Sequence, residues 1–304
     1  MELSTGKITA LMSGLIILLT FLVYWQLSLL SENYDDQQYM LNISGFSYDL
    51  NQPNTKYKLV EELNEISGLG FYSDSTLACI QDEKGHLYFY NLEKNKIIRE
   101  EDFGSKGDYE GVEIIDQTAY VLKSNGNVYH FDIFEDDIGE VSEIETDLSS
   151  SNDTEGLAFN HASNQVLIIC KNKNDTKNFE TDDFAIYSIE WPENKFNKTP
   201  AITYSNEKLR HALDDHDLDK KKHLPFKPSA IAVHPITDDI IILSSVGKLM
   251  VVLDQSGQIK NVSPLKRSVF SQPEGICFDQ SGVMYISNEG RGKSGDILQF
   301  QPLF

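Results

Sequence analysis

Two hydrophobic patterns divide the chain: one long apolar run near its start and many short alternating runs after it. Residues 8–30 form 23 positions without a charged side chain, enough for an α-helix to cross a bilayer. Lys7 precedes this run, and Glu32 and Asp35 follow it, so the positive-inside rule places residues 1–7 in the cytoplasm. The pattern predicts a single-pass anchor in the cytoplasmic membrane, with the rest of the chain periplasmic or extracellular.

A cleaved signal peptide is the alternative interpretation of the N-terminal run. The run is long for a signal peptide, and no Ala-x-Ala cleavage site follows it, which favours an uncleaved anchor. The polar residues 31–58 then form a tether, and residues 59–304 form one exported domain.

A short motif recurs five times in residues 59–304, and such a recurrence is the signature of a repeat architecture. Each copy has a small or acidic residue, then Gly or Ala, then an aliphatic residue that opens a β-rich run. The five copies are Ser67-Gly68-Leu69, Glu110-Gly111-Val112, Glu155-Gly156-Leu157, Ser229-Ala230-Ile231 and Glu274-Gly275-Ile276. Their central positions are 43, 45, 74 and 45 residues apart.

The runs after each motif are short, alternate in polarity and are separated by turns such as Asn125-Gly126, a pattern typical of β-hairpins. Strands in repeats of this length predict an all-β fold, a β-propeller. Five repeats favour five blades. The long interval predicts an insertion at about 172–226; if that stretch contains a degenerate blade, the count becomes six. Residues 43–60 are expected to close the ring by pairing with the last blade.

The inner strands of a propeller surround a central channel, so residues at the first motif position are expected to meet at one channel mouth. This ring comprises Ser67, Glu110, Glu155, Ser229 and Glu274. Carboxylates from several blades repel one another unless a cation lies between them, and oxygen ligands suit Ca²⁺. We therefore expect calcium at Glu110, Glu155 and Glu274, the alternative being a purely structural role for the repeated residues. Four further candidates lie near strand ends: Glu65, Asp82, Asn288 and Glu289.

The charge of the chain narrows its range of partners. The formal charge is −21, and Glu2 and Lys7 cancel, so the whole excess belongs to the exported part. An acidic surface repels phosphate backbones, which excludes nucleic acid as an expected partner. Gly-x-Ser-x-Gly, His-Glu-x-x-His and P-loop motifs are absent from the sequence, so its residues identify no catalytic group.

The repeat motifs resemble those of the SdiA-regulated protein family, and the resemblance covers roughly residues 59–304. The segments that carry it are Glu65–Leu69, Asp108–Val112, Thr154–Ala158, Pro228–Pro235 and Gln272–Ile276. The resemblance implies a membrane-anchored β-propeller outside the cytoplasm with a central calcium site, loosely similar to esterase-like phytases. Lys123 and Lys171 stand near strand ends where acidic residues would strengthen a phytase-like multi-calcium site, which argues against phytase activity.

Three functions follow as hypotheses. The first is a membrane-anchored binding module that holds a cation, a small ligand or a protein partner at its channel mouth. The second is a calcium-assisted hydrolase of phosphate or carboxylic esters, in which the ion would polarise the substrate. The third is a structural protein of the cell envelope.

Overall fold

The computed structural model describes residues 39–171, 184–204, 206–215 and 226–303. In these residues nearly all regular structure is β. The strands follow one another as β1 (Met40–Ile43), β2 (Phe46–Asp49), β3 (Thr55–Lys58), β4 (Ile66–Ser73), β5 (Thr76–Gln81), β6 (Gly85–Asn91), β7 (Lys96–Gly104), β8 (Tyr109–Ile115), β9 (Thr118–Lys123), β10 (Val128–Asp132), β11 (Ser142–Ile144), β12 (Thr154–Asn160), β13 (Gln165–Cys170), β14 (Phe184–Glu190), β15 (Lys195–Tyr204), β16 (Ala230–Val233), β17 (Ile240–Ser244), β18 (Leu249–Leu253), β19 (Ile259–Pro264), β20 (Pro273–Phe278), β21 (Met284–Asn288) and β22 (Asp296–Phe300).

These strands build five four-stranded antiparallel blades. The first four blades use consecutive strands, β4–β7, β8–β11, β12–β15 and β16–β19, and the fifth uses β20–β22 together with β3. In the fifth blade Tyr57 pairs with Ile297, and Lys58 pairs with Asp296. An early strand thus completes the last blade from within the predicted segment 43–60, and the prediction of a five-bladed propeller is confirmed.

The long interval between the third and fourth motifs contains two strands of the propeller itself. β14 and β15 are the outer strands of the third blade, and they lie inside the stretch assigned to an insertion at about 172–226. A helix, α1 (Asn206–Asp215), follows them. The six-bladed alternative is therefore wrong: the described part of this interval supplies half of an existing blade.

The predicted anchor at residues 8–30 lies outside the described residues, as do residues 31–38 of the predicted tether. Among the described residues no helix is long and apolar enough to cross a membrane. The rest of the tether contains β3 and the hairpin formed by β1 and β2, whose pairs include Met40 with Asp49.

Hydrophobic contacts between blades form the core, with one cluster at each of the five blade interfaces. β5 and β18 are buried at every position, because both faces of a middle strand pack against neighbouring blades. The outer strand β7 instead alternates exposed and half-buried residues over most of its length. The three cysteines lie inside this core with free thiols, consistent with small buried hydrophobic residues.

The hairpin β1–β2 covers the interface of the fourth and fifth blades. Its Tyr48 donates a hydrogen bond of 2.6 Å to the carbonyl of Gly282 and lies 3.0 Å from Nε2 of His234. Nδ1 of His234 accepts hydrogen bonds from the amides of Ile236 and Thr237. Burial lowers the pKa of His234 to about 4, so this histidine is a neutral structural residue at neutral pH.

Candidate functional site

Glycines let the inner strands approach one another closely around the propeller axis. A Cβ at Gly111 would lie 2.8 Å from the amide nitrogen of Leu157, and one at Gly156 would lie 3.1 Å from that of Ile231. Both distances are shorter than ordinary van der Waals contact. The central channel is consequently narrow, with a cavity of about 10 Å³ beside the ring residues.

Four of the five predicted ring residues lie at β-bulges. The pairing register shifts around Ser67, Glu110, Glu155 and Glu274 in their blades. A bulge adds one residue to a strand and redirects its side chain. Here the bulge falls just before each glycine, and in three of the four blades the bulged residue is a glutamate that lines the narrow end of the channel.

The structure brings the three glutamates together at this mouth but not the two serines. Glu110, Glu155 and Glu274 line the narrow end of the channel. Ser229 instead donates a hydrogen bond of 2.8 Å to the carbonyl of Pro273 and accepts one of 3.1 Å from the amide of Ser245. Ser67 is buried, and its hydroxyl oxygen has no hydrogen-bond partner among the described residues.

Lys171 places a positive charge beside Glu155 of the glutamate ring. Its Nζ lies 2.8 Å from Oε1 of Glu155, which is 4 % exposed, and 3.9 Å from Asp153. Burial alone would lower the pKa of Lys171, but Glu155, Asp153 and Glu274 raise it above its usual value. The lysine therefore stays charged and compensates part of the negative charge of the mouth.

Burial raises the pKa of all three ring carboxyl groups. Glu110 rises most, since Glu155 and Asp108 add repulsion to the loss of solvent. The pKa of Glu155 also rises although Lys171 opposes the shift. Burial raises the pKa of Glu274 to about 7, against the stabilising effect of Lys171. The ring therefore carries more carboxyl groups than the ammonium of Lys171 can neutralise.

The further candidates occupy a second layer around the ring. The amides of Asp82, Lys171 and Glu289 donate to the carbonyls of Glu65, Asp153 and Gln272 respectively, so these positions are equivalent in three blades. Burial and repulsion by Glu65, Glu83 and Glu289 raise the pKa of Asp82 to about 6, and the pKa of Glu289 is raised by burial and Glu65. Asn288 is wholly buried and donates to Asp296.

Calcium fits this mouth only if Lys171 moves away from Glu155. The ammonium occupies the position where a cation would meet that carboxylate, at 2.8 Å. Among the described residues no three acidic, histidine or cysteine side chains are grouped closely enough to hold a metal ion. The calcium site remains a prediction, and the hydrolase that depends on it remains one as well.

Two features of the site escaped sequence reasoning. Lys171 lies beside the bulged Glu155 because of the register between the first and second strands of its blade. A comparison of the repeats could have predicted this position, because Lys171 is equivalent to Asp82 and Glu289 in two other blades. A larger cavity lies at the opposite end of the channel, with a volume of about 460 Å³. Its residues come from strand ends far apart in sequence and form no motif.

These observations define a five-bladed β-propeller with an acidic ring at one channel mouth and a cavity at the other. The sequence profile of the SdiA-regulated family matches residues 37–291, and the chain belongs to that family. No curated protein sequence matches the chain significantly.

Solved structures of similar shape show the same type of fold at very low sequence identity. The glutaminyl cyclase of Myxococcus xanthus is 12 % identical, with a TM-score of 0.55 over 83 % of this chain and 95 % of that one. The aldose sugar dehydrogenase of Streptomyces coelicolor in its PQQ-bound form is 10 % identical, with a TM-score of 0.51 over 83 % and 98 %. These similarities concern the fold alone.

Proposed function

We propose that the protein is a binding module, held at the cytoplasmic membrane by residues 8–30, whose acidic channel mouth takes up a cation outside the cytoplasm. One observation carries this proposal: one buried and two half-buried carboxyl groups, of Glu155, Glu110 and Glu274, surround one axis, and the ammonium of Lys171 bonds to only one of them. The match to the SdiA-regulated family agrees with the β-propeller fold but does not identify the ligand.

Energetics favour a ligand at this mouth. Removing a carboxylate from water costs free energy that hydrogen bonds offset only in part. Glu274 has side-chain hydrogen bonds with Gln272 and Ser245, and Glu110 has one with Asp108, but in the described part of the chain neither forms an ion pair as Glu155 does with Lys171. A protein can avoid that cost by protonating the groups, as the raised pKa values of Glu110 and Glu274 indicate. A bound cation offers the other route, since it would compensate Glu110 and Glu274 together and favour their ionised forms.

Calcium is the first cation to test, because it prefers several oxygen ligands from different chain segments. Thermal unfolding of the full chain in detergent is followed with EDTA and then with increasing Ca²⁺. We expect a saturable rise in Tm, since ligand at about 100 times Kd stabilises a folded protein by about 2.7 kcal/mol. The triple variant Glu110→Gln, Glu155→Gln and Glu274→Gln is expected to lose the rise.

The matched control is Glu93→Gln, which removes one carboxylate from an exposed turn far from the mouth and is expected to keep the full rise. A flat Tm through millimolar Ca²⁺ would reject calcium at this mouth. A rise that persists in the triple variant would place the ion elsewhere and overturn the proposal for the ring. A saturable response that depends on the ring would justify a screen of phosphate and carboxylic esters for turnover.

A further inference from the structure

The far end of the channel opens into a cavity of about 460 Å³, a volume typical of small-molecule sites. It lies at the ends of the inner strands, whereas the glutamate ring lies at their starts. All five blades contribute to its wall, from Phe71 in the first blade to Phe278 in the fifth. The cavity is therefore separate from the acidic mouth, and the narrow waist of the channel lies between them.

Aromatic rings form much of the cavity wall. They are Phe71, Tyr72, Phe159, Trp191 and Phe278. Neighbouring contacts fix several of them: Trp191 meets Phe159 edge to face at 5.4 Å between ring centroids, and Tyr72 meets Phe89 at 4.7 Å. Such preorganised faces bind apolar groups and attract cations through the ring quadrupole.

Three carboxylates line the same wall, from Glu113, Asp116 and Asp279. Glu113 is held in place by two backbone amides, with the N–H of Phe159 donating to Oε2 at 2.9 Å and that of Ile114 donating to Oε1 at 3.0 Å. Among the residues described by the structure, no lysine or arginine lines this cavity. The negative charge of the wall thus lacks the internal counter-ion that Lys171 provides at the other mouth.

We propose that this cavity binds a small organic cation, an amine or quaternary ammonium compound, with its positive head at Glu113 and its apolar part on the aromatic wall. An anion would be repelled by three carboxylates, and a neutral apolar ligand would leave Glu113 desolvated without a counter-charge. The combination of aromatic faces and carboxylates is the usual chemistry of ammonium recognition.

The protonation of Glu113 gives the proposal a second readout. Burial raises the pKa of Glu113 to about 7, although its two backbone amides oppose the shift. The other titratable groups on this wall are Asp116, His161, Cys277 and Asp279; burial and the nearby Glu113 and Asp279 raise the pKa of the Cys277 thiol, which therefore stays neutral. A bound cation lowers that pKa, so affinity is expected to rise as the pH increases from about 5 to about 8, with release of a proton.

Trp191 makes the cavity directly observable. Trp25 and Trp191 are the two tryptophans of the chain, so Trp25→Phe leaves fluorescence from the cavity wall alone. In that background the full chain in maltoside detergent is titrated with choline, ethanolamine and spermidine. The neutral comparison compound is 3,3-dimethyl-1-butanol, which has the shape of choline without its charge. We expect a saturable change with at least one cation and at least about ten-fold weaker binding of its neutral counterpart.

Substitutions in the cavity wall test whether the fluorescence change comes from a cation bound at Glu113. Glu113→Gln is expected to weaken cation binding at least about ten-fold and to abolish the pH dependence, while the exposed Glu140→Gln keeps both. If Glu113→Gln fails to fold, Asp116→Asn takes its place, because Asp116 has a φ of 56°, which asparagine tolerates well. No saturable response to any of the three cations, or equal affinity for the neutral compound, would overturn the proposal. So would full affinity in a folded Glu113→Gln or Asp116→Asn variant.

Discussion

At the scale of single residues, Lys171 determines how much negative charge at the acidic mouth is left uncompensated. It bonds to Glu155 and also lowers the pKa of Glu110 and Glu274 from a greater distance. A lysine here is an internal counter-ion whose removal should expose the electrostatic cost of the ring. The cost depends on pH, because protonated carboxyl groups need no counter-ion.

Lys171→Met is expected to destabilise the protein by about 1–3 kcal/mol at pH 8, less than for a fully buried pair because the lysine is partly exposed. The folded-state pKa of Glu155 already lies above its unfolded value and would rise further. Stability linked to this group is complete below about pH 4.5 and is lost as the pH rises through the folded pKa. Urea unfolding at pH 5 and pH 8 should therefore show the larger loss at pH 8.

The conservative Lys171→Arg keeps the charge and serves as the matched control, with a smaller loss expected at both pH values. Adding Glu155→Gln to Lys171→Met should recover most of the stability at pH 8. Equal destabilisation by Lys171→Met at pH 5 and pH 8 would show that the lysine contributes packing rather than charge compensation.

At the scale of secondary-structure elements, the hairpin β1–β2 is fixed to the propeller by Tyr48. Tyr48→Phe removes the bond to Gly282 and leaves Nε2 of His234 without the tyrosine hydroxyl inside the core. We expect a loss of about 1–3 kcal/mol, the cost of leaving buried polar groups unsatisfied. Tyr57→Phe is the control, because the hydroxyl of Tyr57 meets Gln299 in a partly buried position at the edge of the fifth blade. Urea denaturation compares the two, and equal losses would contradict the assigned role of Tyr48.

Sequence reasoning predicts the elements of this fold better than their side-chain environments. The five motifs identify the inner strands, since glycine before an aliphatic run repeats at blade spacing. Strand β15 is difficult to predict from the sequence, because most of its residues are exposed or half-buried and its polar composition is typical of a loop. The cavity at the far end depends on strand ends such as Phe71 and Phe278 that meet only after ring closure, so no local pattern contains it. The bond between Lys171 and Glu155 likewise requires the bulged register.

At the scale of the whole molecule, five blades close into a ring only because their inner strands can pack tightly around the axis. The fourth blade has Ala230 where the other four have glycine, so the ring tolerates one methyl group at this level. Around Gly111, however, a methyl group would lie only 2.8 Å from the backbone amide nitrogen of Leu157 and 2.9 Å from Cα of Gly156. Backbone atoms of two neighbouring inner strands cannot move apart without shifting whole blades.

Gly111→Ala is therefore expected to destabilise the protein by about 1–3 kcal/mol, the usual cost of overpacking a well-packed interior. Gly139→Ala provides the control, because its methyl group would meet its nearest neighbour at an ordinary 3.4 Å and would even restrict the unfolded chain. Thermal and urea unfolding measure the loss of stability in each variant, and we expect it to be larger for Gly111→Ala than for Gly139→Ala. A neutral Gly111→Ala would mean that the blades can spread around the axis, and the channel waist that separates the acidic mouth from the aromatic cavity would then be adjustable. A large loss would instead show that the backbones of the inner strands cannot move apart far enough to accept a methyl group at this level.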